Sequence, residues 1–238
     1  MTALGLPGEV RVVGDPIAVA AGAAQWLSER CQGDGAFRIA VAGGRTPRFL
    51  YEALASSTFR DHIDWRRWHL YFGDERAVAP EDPDSNFGLV RDTLLAKVPI
   101  PAGQVHRMEA DRPDLDGAAA AYSHVVEAGC GRPPRLDVIL LGLGEDGHTA
   151  SLFPGTPALD VTDAWATRGR APVEPHDRIT LTFPAINAAA TVAFLVTGAA
   201  KAHALRGVAG GSAPAARVRP QDGDLVWFLD TAAALSAG

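Results

Sequence analysis

Short runs of β-branched and aromatic residues recur along this chain, with segments of helical spacing between them. The runs are Val10–Val13, Phe37–Val41, His69–Phe72, Val105–Met108, Val138–Leu141, Ile179–Phe183, Val192–Val196 and Leu225–Leu229. Strands separated by helices cannot pair through tight hairpins. Each must cross over to a parallel neighbour, and the crossovers lay helices on both faces of the sheet. The pattern predicts an α/β fold built on an open, mostly parallel sheet. Start signals agree with it. Asp15-Pro16 and Thr46-Pro47 each put a capping side chain ahead of a proline at the first helical position. Ser85-Asn86 precedes a helix expected over Phe87–Val98, and Asp114 to Asp116 precede an Ala-rich helix reaching Ala128. Gly155 to Asp177 has neither period and is expected to be an irregular excursion. No repeat or linker divides the chain, so residues 1–238 are expected to form a single domain.

Charge and composition exclude several classes of partner. There are 22 Lys+Arg against 28 Asp+Glu, a net charge of −6, and 47% hydrophobic residues. That is ample apolar surface for an ordered core. It is the wrong balance for binding nucleic acid through a broad positive field. Cys31 and Cys130 are too few for a disulfide framework or a CxxC-type zinc site. Two reduced thiols in a cytoplasmic protein are expected, with one disulfide as the alternative. The first residues lack the basic stretch and apolar run of a secretory signal. The uncharged stretch between Arg178 and Lys201 is long enough to span a bilayer. Pro184, Asn187 and four threonines break it into strand, short helix and strand, so no membrane partner is expected.

Four polar motifs follow predicted strands directly. In an open α/β sheet, ligands bind at the carboxyl ends of strands, so motifs far apart in sequence can meet there. After Phe37–Val41 comes Ala42-Gly43-Gly44-Arg45-Thr46-Pro47. Its glycines free the backbone, and the helix that follows favours an anion at its N-terminus. Thr46 could cap that helix and donate to a phosphate oxygen; a plain strand–turn–helix connection is the competing reading. After His69–Phe72 comes Gly73-Asp74-Glu75-Arg76, with Ser85-Asn86 further on. This is either a solvated loop or a site where Arg76 meets an anionic oxygen and Asp74 a hydroxyl or proton.

The third motif, Gly142-Leu143-Gly144-Glu145-Asp146-Gly147-His148-Thr149-Ala150-Ser151, satisfies G-x-G-x-x-G. Pro154 shortens any following helix, and a suitably spaced acidic residue is lacking, so no dinucleotide site is inferred. His148, among glycines and beside Asp146, suits general acid–base work. His62, His69, His106, His124, His176 and His203 are expected to be structural. The fourth, Thr197-Gly198-Ala199-Ala200-Lys201, offers a lysine in the first turn of a helix, either a phosphate contact or an exposed surface residue. Arg178 is a further cation, for a ligand or a salt bridge. A G-x-S-x-G elbow and an H-E-x-x-H motif are both missing, and no metal or cofactor is expected.

Taken in order, Gly43-Gly44-Arg45-Thr46-Pro47, Phe72-Gly73-Asp74-Glu75-Arg76 with Ser85-Asn86, Gly142 to Pro154, Arg178-Ile179-Thr180-Leu181-Thr182 and Thr197 to Lys201 resemble the 6-phosphogluconolactonase family. The resemblance runs from Val10 to Leu229. It implies a Rossmann-like fold, shared with glucosamine-6-phosphate deaminases and ribose-5-phosphate isomerases. It also implies hydrolysis of 6-phospho-D-glucono-1,5-lactone in the oxidative pentose phosphate route. Deaminases share the G-G-x-T-P loop and the Asp-Gly-His segment but continue with an F-N-E-P-type sequence. Here Thr149-Ala150-Ser151-Leu152-Phe153-Pro154 stands instead, and Arg45 occupies a position where the family commonly has Ser.

By this resemblance His148 is the base toward water and then the proton donor, oriented by Asp146. Arg76 stabilises the developing charge, Asp74 and Asn86 position sugar hydroxyls, and Gly43, Gly44, Arg45, Thr46, Arg178 and Lys201 hold phosphate. The expected partner is a small sugar-phosphate lactone and the expected state a monomer. A related sugar-phosphate enzyme and a non-catalytic sensor are the alternatives.

Overall fold

The computed structural model describes residues 4–237. The first half of the chain places β1 (Glu9–Val13), α1 (Pro16–Arg30), β2 (Phe37–Val41), α2 (Arg45–Leu54), α3 (Ser57–Arg60), β3 (Trp68–Phe72), β4 (Asp74–Arg76) and α4 (Asn86–Val90). Then follow α5 (Leu115–Cys130), β5 (Val138–Leu141), β6 (Ala166–Arg170), β7 (Asp177–Leu181), α6 (Phe183–Asn187), β8 (Thr191–Val196), α7 (Ala202–Ala209), β9 (Asp224–Asp230) and α8 (Thr231–Ala237).

Six strands form one sheet in the order β1-β9-β8-β5-β2-β3, and every neighbouring pair is parallel. The central strands β5 and β8 are buried along their whole length, as both faces are covered by helices. Phe194 of β8 and Trp227 of β9 stack at 4.0 Å between ring centroids. The long helices start as their sequences direct. The Asp15 carboxylate accepts from Ala18 N–H at 2.8 Å ahead of α1, and Asp114 accepts from Gly117 N–H at 2.9 Å ahead of α5. Each then buries one small-residue face, Ala20, Ala23, Ala24 and Leu27 on α1 and Ala118, Ala119, Tyr122 and Val126 on α5.

Because the sheet is parallel, its strands share one carboxyl edge. β8, β5, β2 and β3 are consecutive in it, and the segments leaving them are the four polar motifs. No helix among the described residues is long and apolar enough to cross a membrane; the uncharged stretch supplies most of β7, then α6 and β8. Cys31 and Cys130 are buried free thiols.

Several local expectations are corrected. Val105–Met108 is not a strand: Val105 makes one parallel bridge to Leu70 at the sheet edge, and Met108 turns into the core. The helix expected over Phe87–Val98 is α4 continued by a π-type turn over Arg91–Leu95. Thr46 lies inside the first turn of α2 rather than capping it. The stretch from Gly155 to Asp177 is not wholly irregular, for it contains β6, which pairs antiparallel with β7. Its sequence, Ala-Thr-Arg-Gly-Arg, has one β-branched residue and a glycine, so pairing rather than propensity makes the strand. β7 starts at Asp177, ends at Leu181 and leaves the parallel sheet altogether, forming a second, antiparallel sheet in the order β4-β7-β6.

Candidate active site

The loop after β2 is anchored from within α2. The Tyr51 hydroxyl donates to the Ala42 carbonyl at 2.6 Å and accepts from Ala42 N–H at 3.0 Å. Gly44 takes the N-cap position at φ 100°, a conformation other residues resist, and no side chain caps the helix. The first N–H groups of α2 therefore stay available to an outside acceptor. Thr46 Oγ1 lies 2.8 Å from Thr197 Oγ1, tying this loop to the end of β8. There Gly198 N–H donates to both oxygens of the buried Asp230 carboxylate, at 2.9 and 3.0 Å, which fixes the segment carrying Lys201.

Period-two alternation sorts the second motif. Asp74 and Arg76 share one face of β4 and Glu75 takes the other. Glu75 is buried and accepts from the backbone N–H groups of Arg76 (2.7 Å), Asn86 (2.8 Å) and Phe87 (2.7 Å) and from Ser85 Oγ (3.2 Å). Burial pushes its carboxyl above the ordinary range, and the three N–H donors pull the other way. Sequence reasoning did not see this clamp, which secures Asn86 and Arg76 together. Glu75→Ala would strand those buried donors; a loss of about 3 kcal/mol is expected. The melting midpoint should fall by roughly 6–12 °C, as differential scanning calorimetry can check.

Asn86 Nδ2 donates to the Asp74 carbonyl at 2.9 Å and to Asp74 Oδ1 at 3.1 Å, while its own Oδ1 is buried without a partner. A Cβ on Gly43 would overlap that oxygen, so glycine is required there. Ser151 Oγ donates to Asp74 Oδ2 at 2.6 Å, so both carboxylate oxygens are engaged.

The third motif winds tightly back on itself. Gly144 N–H donates to the His148 carbonyl at 2.8 Å, and Thr149 Oγ1 to the Gly142 carbonyl at 2.9 Å. His148 Nδ1 lies 2.5 Å from Asp146 Oδ1, and its ring packs on Phe153 with centroids 4.2 Å apart. Partial burial alone would raise the Asp146 carboxyl; hydrogen bonds from the His148 backbone and ring outweigh it and hold the group below the usual range. An ionised Asp146 accepts only, so it selects the imidazole tautomer with hydrogen on Nδ1 and leaves Nε2 as a lone-pair base. A Cβ on Gly144 would overlap the ring, so that glycine makes room for the histidine.

Arg178, on β7, is opposite Arg76 in the register. The four segments and β7 enclose a cavity of about 430 Å³. Gly43, Gly44, Arg45, Thr46, Asp74, Arg76, Asn86, His148, Arg178 and Lys201 line it, and Asp146 stands behind His148. Ser151 and Thr197 also reach the wall. Both lie within quoted motifs, but only the tertiary contacts to Asp74 and Thr46 show their use.

Comparison with known proteins points the same way. The family model described as glucosamine-6-phosphate isomerases/6-phosphogluconolactonase matches residues 16–227. The chain is 43% identical over 213 residues to the 6-phosphogluconolactonase of Synechocystis sp., covering 86% of this chain and 84% of that one. It is 44% identical over 212 residues to the 6-phosphogluconolactonase of Nostoc sp., covering 84% of each. The solved 6-phosphogluconolactonase from Trypanosoma brucei superposes with a TM-score of 0.85 at 27% identity, over 98% of this chain and 100% of that one. A monomeric glucosamine-6-phosphate deaminase has the same fold, with a TM-score of 0.83 at 19% identity.

Proposed function

Because the chain belongs to the glucosamine-6-phosphate isomerase/6-phosphogluconolactonase family, we propose that it hydrolyses 6-phospho-D-glucono-1,5-lactone to 6-phospho-D-gluconate, a step of the oxidative pentose phosphate route. The observation that carries the reading is the Asp146–His148 pair facing the same cavity as the uncapped start of α2 and Lys201. The first supplies a base with a free nitrogen. The second supplies backbone N–H groups and a cation for a phosphate carrying nearly two negative charges at neutral pH.

His148 Nε2 takes a proton from water as the water oxygen bonds to C1 of the lactone. Charge then develops on the former carbonyl oxygen, beside Arg76. When the intermediate collapses, the bond from C1 to the ring oxygen breaks, and the imidazolium returns its proton to that oxygen. The carboxylic acid so formed ionises in solution. Asp74 is held by Ser151 and Asn86, and its remaining lone pairs make it an acceptor for a sugar hydroxyl that Asn86 helps to position. Thr46, Lys201 and the Gly43–Arg45 backbone take the phosphate. We read the chain as one domain acting as a cytoplasmic monomer.

The test is lactone opening coupled to oxidation of 6-phosphogluconate, with spontaneous hydrolysis subtracted. A rate well above the spontaneous one is expected, with no ammonia released from glucosamine 6-phosphate. Ammonia release without lactone opening would reassign the chain to the deaminase branch.

A further inference from the structure

Two arginines line this cavity, and among the described residues neither is ion-paired to a carboxylate within 4.0 Å. Arg76 and Arg178 are direct partners in the β4–β7 register, which brings their Cβ atoms to about 5 Å on one face of the ribbon. On the other flank the partner of Arg178 is Gly169, where a Cβ would sit 3.3 Å from Arg178 Cβ, so β6 brings no side chain of its own against Arg178 at that position. Arg178 is only 6% exposed, and its Nη1 is buried without a hydrogen-bond partner. Arg76 gives Nη1 to the Asp84 carbonyl. Asp74 is close, held by Ser151 and Asn86, but its carboxylate is not ion-paired to either guanidinium. Burial lowers the affinity of the Arg178 guanidinium for its proton, and the charge of Arg76 lowers it further.

Like charges at opposed sheet positions repel, and the burial of Arg178 with Nη1 unpartnered adds to the cost, which the charges of Asp74, Asp84 and Glu75 do not fully offset. An anion with two coplanar oxygens would lift the penalty, since guanidinium groups match a carboxylate in shape. The family resemblance groups Arg178 with the phosphate loop; in the structure its neighbouring charges are Arg76, Asp74, Asp84 and Glu75.

We propose that Arg178 joins Arg76 as a two-guanidinium clamp on the C1 oxygens, first of the developing oxyanion and then of the product carboxylate, and is not a phosphate ligand. This rests on the lactonase reading. It makes the released sugar acid a tighter ligand than an analogue with an alcohol at C1.

Calorimetric titration of the catalytically intact protein with 6-phosphogluconate and with glucitol 6-phosphate tests it. These ligands share the phosphate and differ in having a carboxylate or an alcohol at C1. The acid is expected to bind at least about tenfold more tightly, the difference one charge-assisted contact makes. Arg178→Met keeps the apolar stem and removes the charge. It should erase that preference, leave glucitol 6-phosphate binding within about twofold, and melt no lower than the parent.

Equal affinity of the two ligands for the parent protein would overturn the clamp without use of any variant. So would an Arg178→Met protein that loses both ligands alike, which would return Arg178 to the phosphate. Arg178→Lys, which keeps the charge but not the fork, should retain only part of the preference. Failure of the lactonase reading is separately visible, as a parent protein that opens no lactone.

Discussion

His148→Ala is expected to lower the enzyme-catalysed rate of lactone opening by about 10²–10⁴-fold, the usual worth of a positioned general base. The expectation comes from geometry. The ring is held on two sides, by Asp146 Oδ1 at 2.5 Å from Nδ1 and by the Phe153 ring, and Gly144 leaves the space it occupies. Only Nε2 remains to meet substrate, and no other histidine lines the cavity among the described residues. The coupled assay reads the loss once spontaneous hydrolysis is subtracted. An unchanged enzymatic increment would show that another group activates water. Asp146→Asn offers a finer measurement. An amide can donate to Nδ1 and so favour the wrong tautomer, as asparagine does in place of the aspartate of a serine-protease triad. The turnover number should then fall while KM stays close to its parent value.

Lys201→Ala is expected to cut kcat/KM for the phosphorylated lactone by about 10–100-fold, the range of one charge-assisted contact. With D-glucono-1,5-lactone, which lacks phosphate, the change should stay within about twofold. Lys201 sits where the segment after β8 turns into α7, and Asp230 fixes that segment through Gly198. The Thr46–Thr197 contact joins it to the start of α2, and Lys201 and the helix start line one cavity. Steady-state kinetics with both lactones decides the matter. Equal losses on the two substrates would mean that Lys201 supports the loop rather than the phosphate.

Much of the parallel sheet was legible because its strands are dense, β-branched runs that both faces of the protein bury. Val138–Leu141 matched its predicted bounds, and Val192–Val196 fell one residue short. What escaped was specified by neighbours. β6 has almost no strand propensity and exists because β7 pairs with it, and that β7 pairs outside the parallel sheet is not written in its own sequence. Val105–Met108 had the composition of a strand but met the sheet edge at one residue. Thr46-Pro47 had the form of a helix cap, yet the Thr46 hydroxyl is turned to Thr197 and the helix end is left open. An open end is what an anion site needs.

By itself the sequence determined the alternation of strands and helices, and hence a parallel sheet whose carboxyl edge gathers the four polar motifs. Those features are local: propensity, period, and glycines placed directly after strands. The tertiary structure alone decided which atoms of those residues are free to act. Asp146 takes Nδ1 of His148 and leaves Nε2. Ser151 and Asn86 orient the Asp74 carboxylate, while Asn86 Oδ1 and Arg178 Nη1 stay without partners. The reason is that the availability of a donor or acceptor depends on what packs against it. For this cavity those neighbours come from strands and loops far apart in the chain.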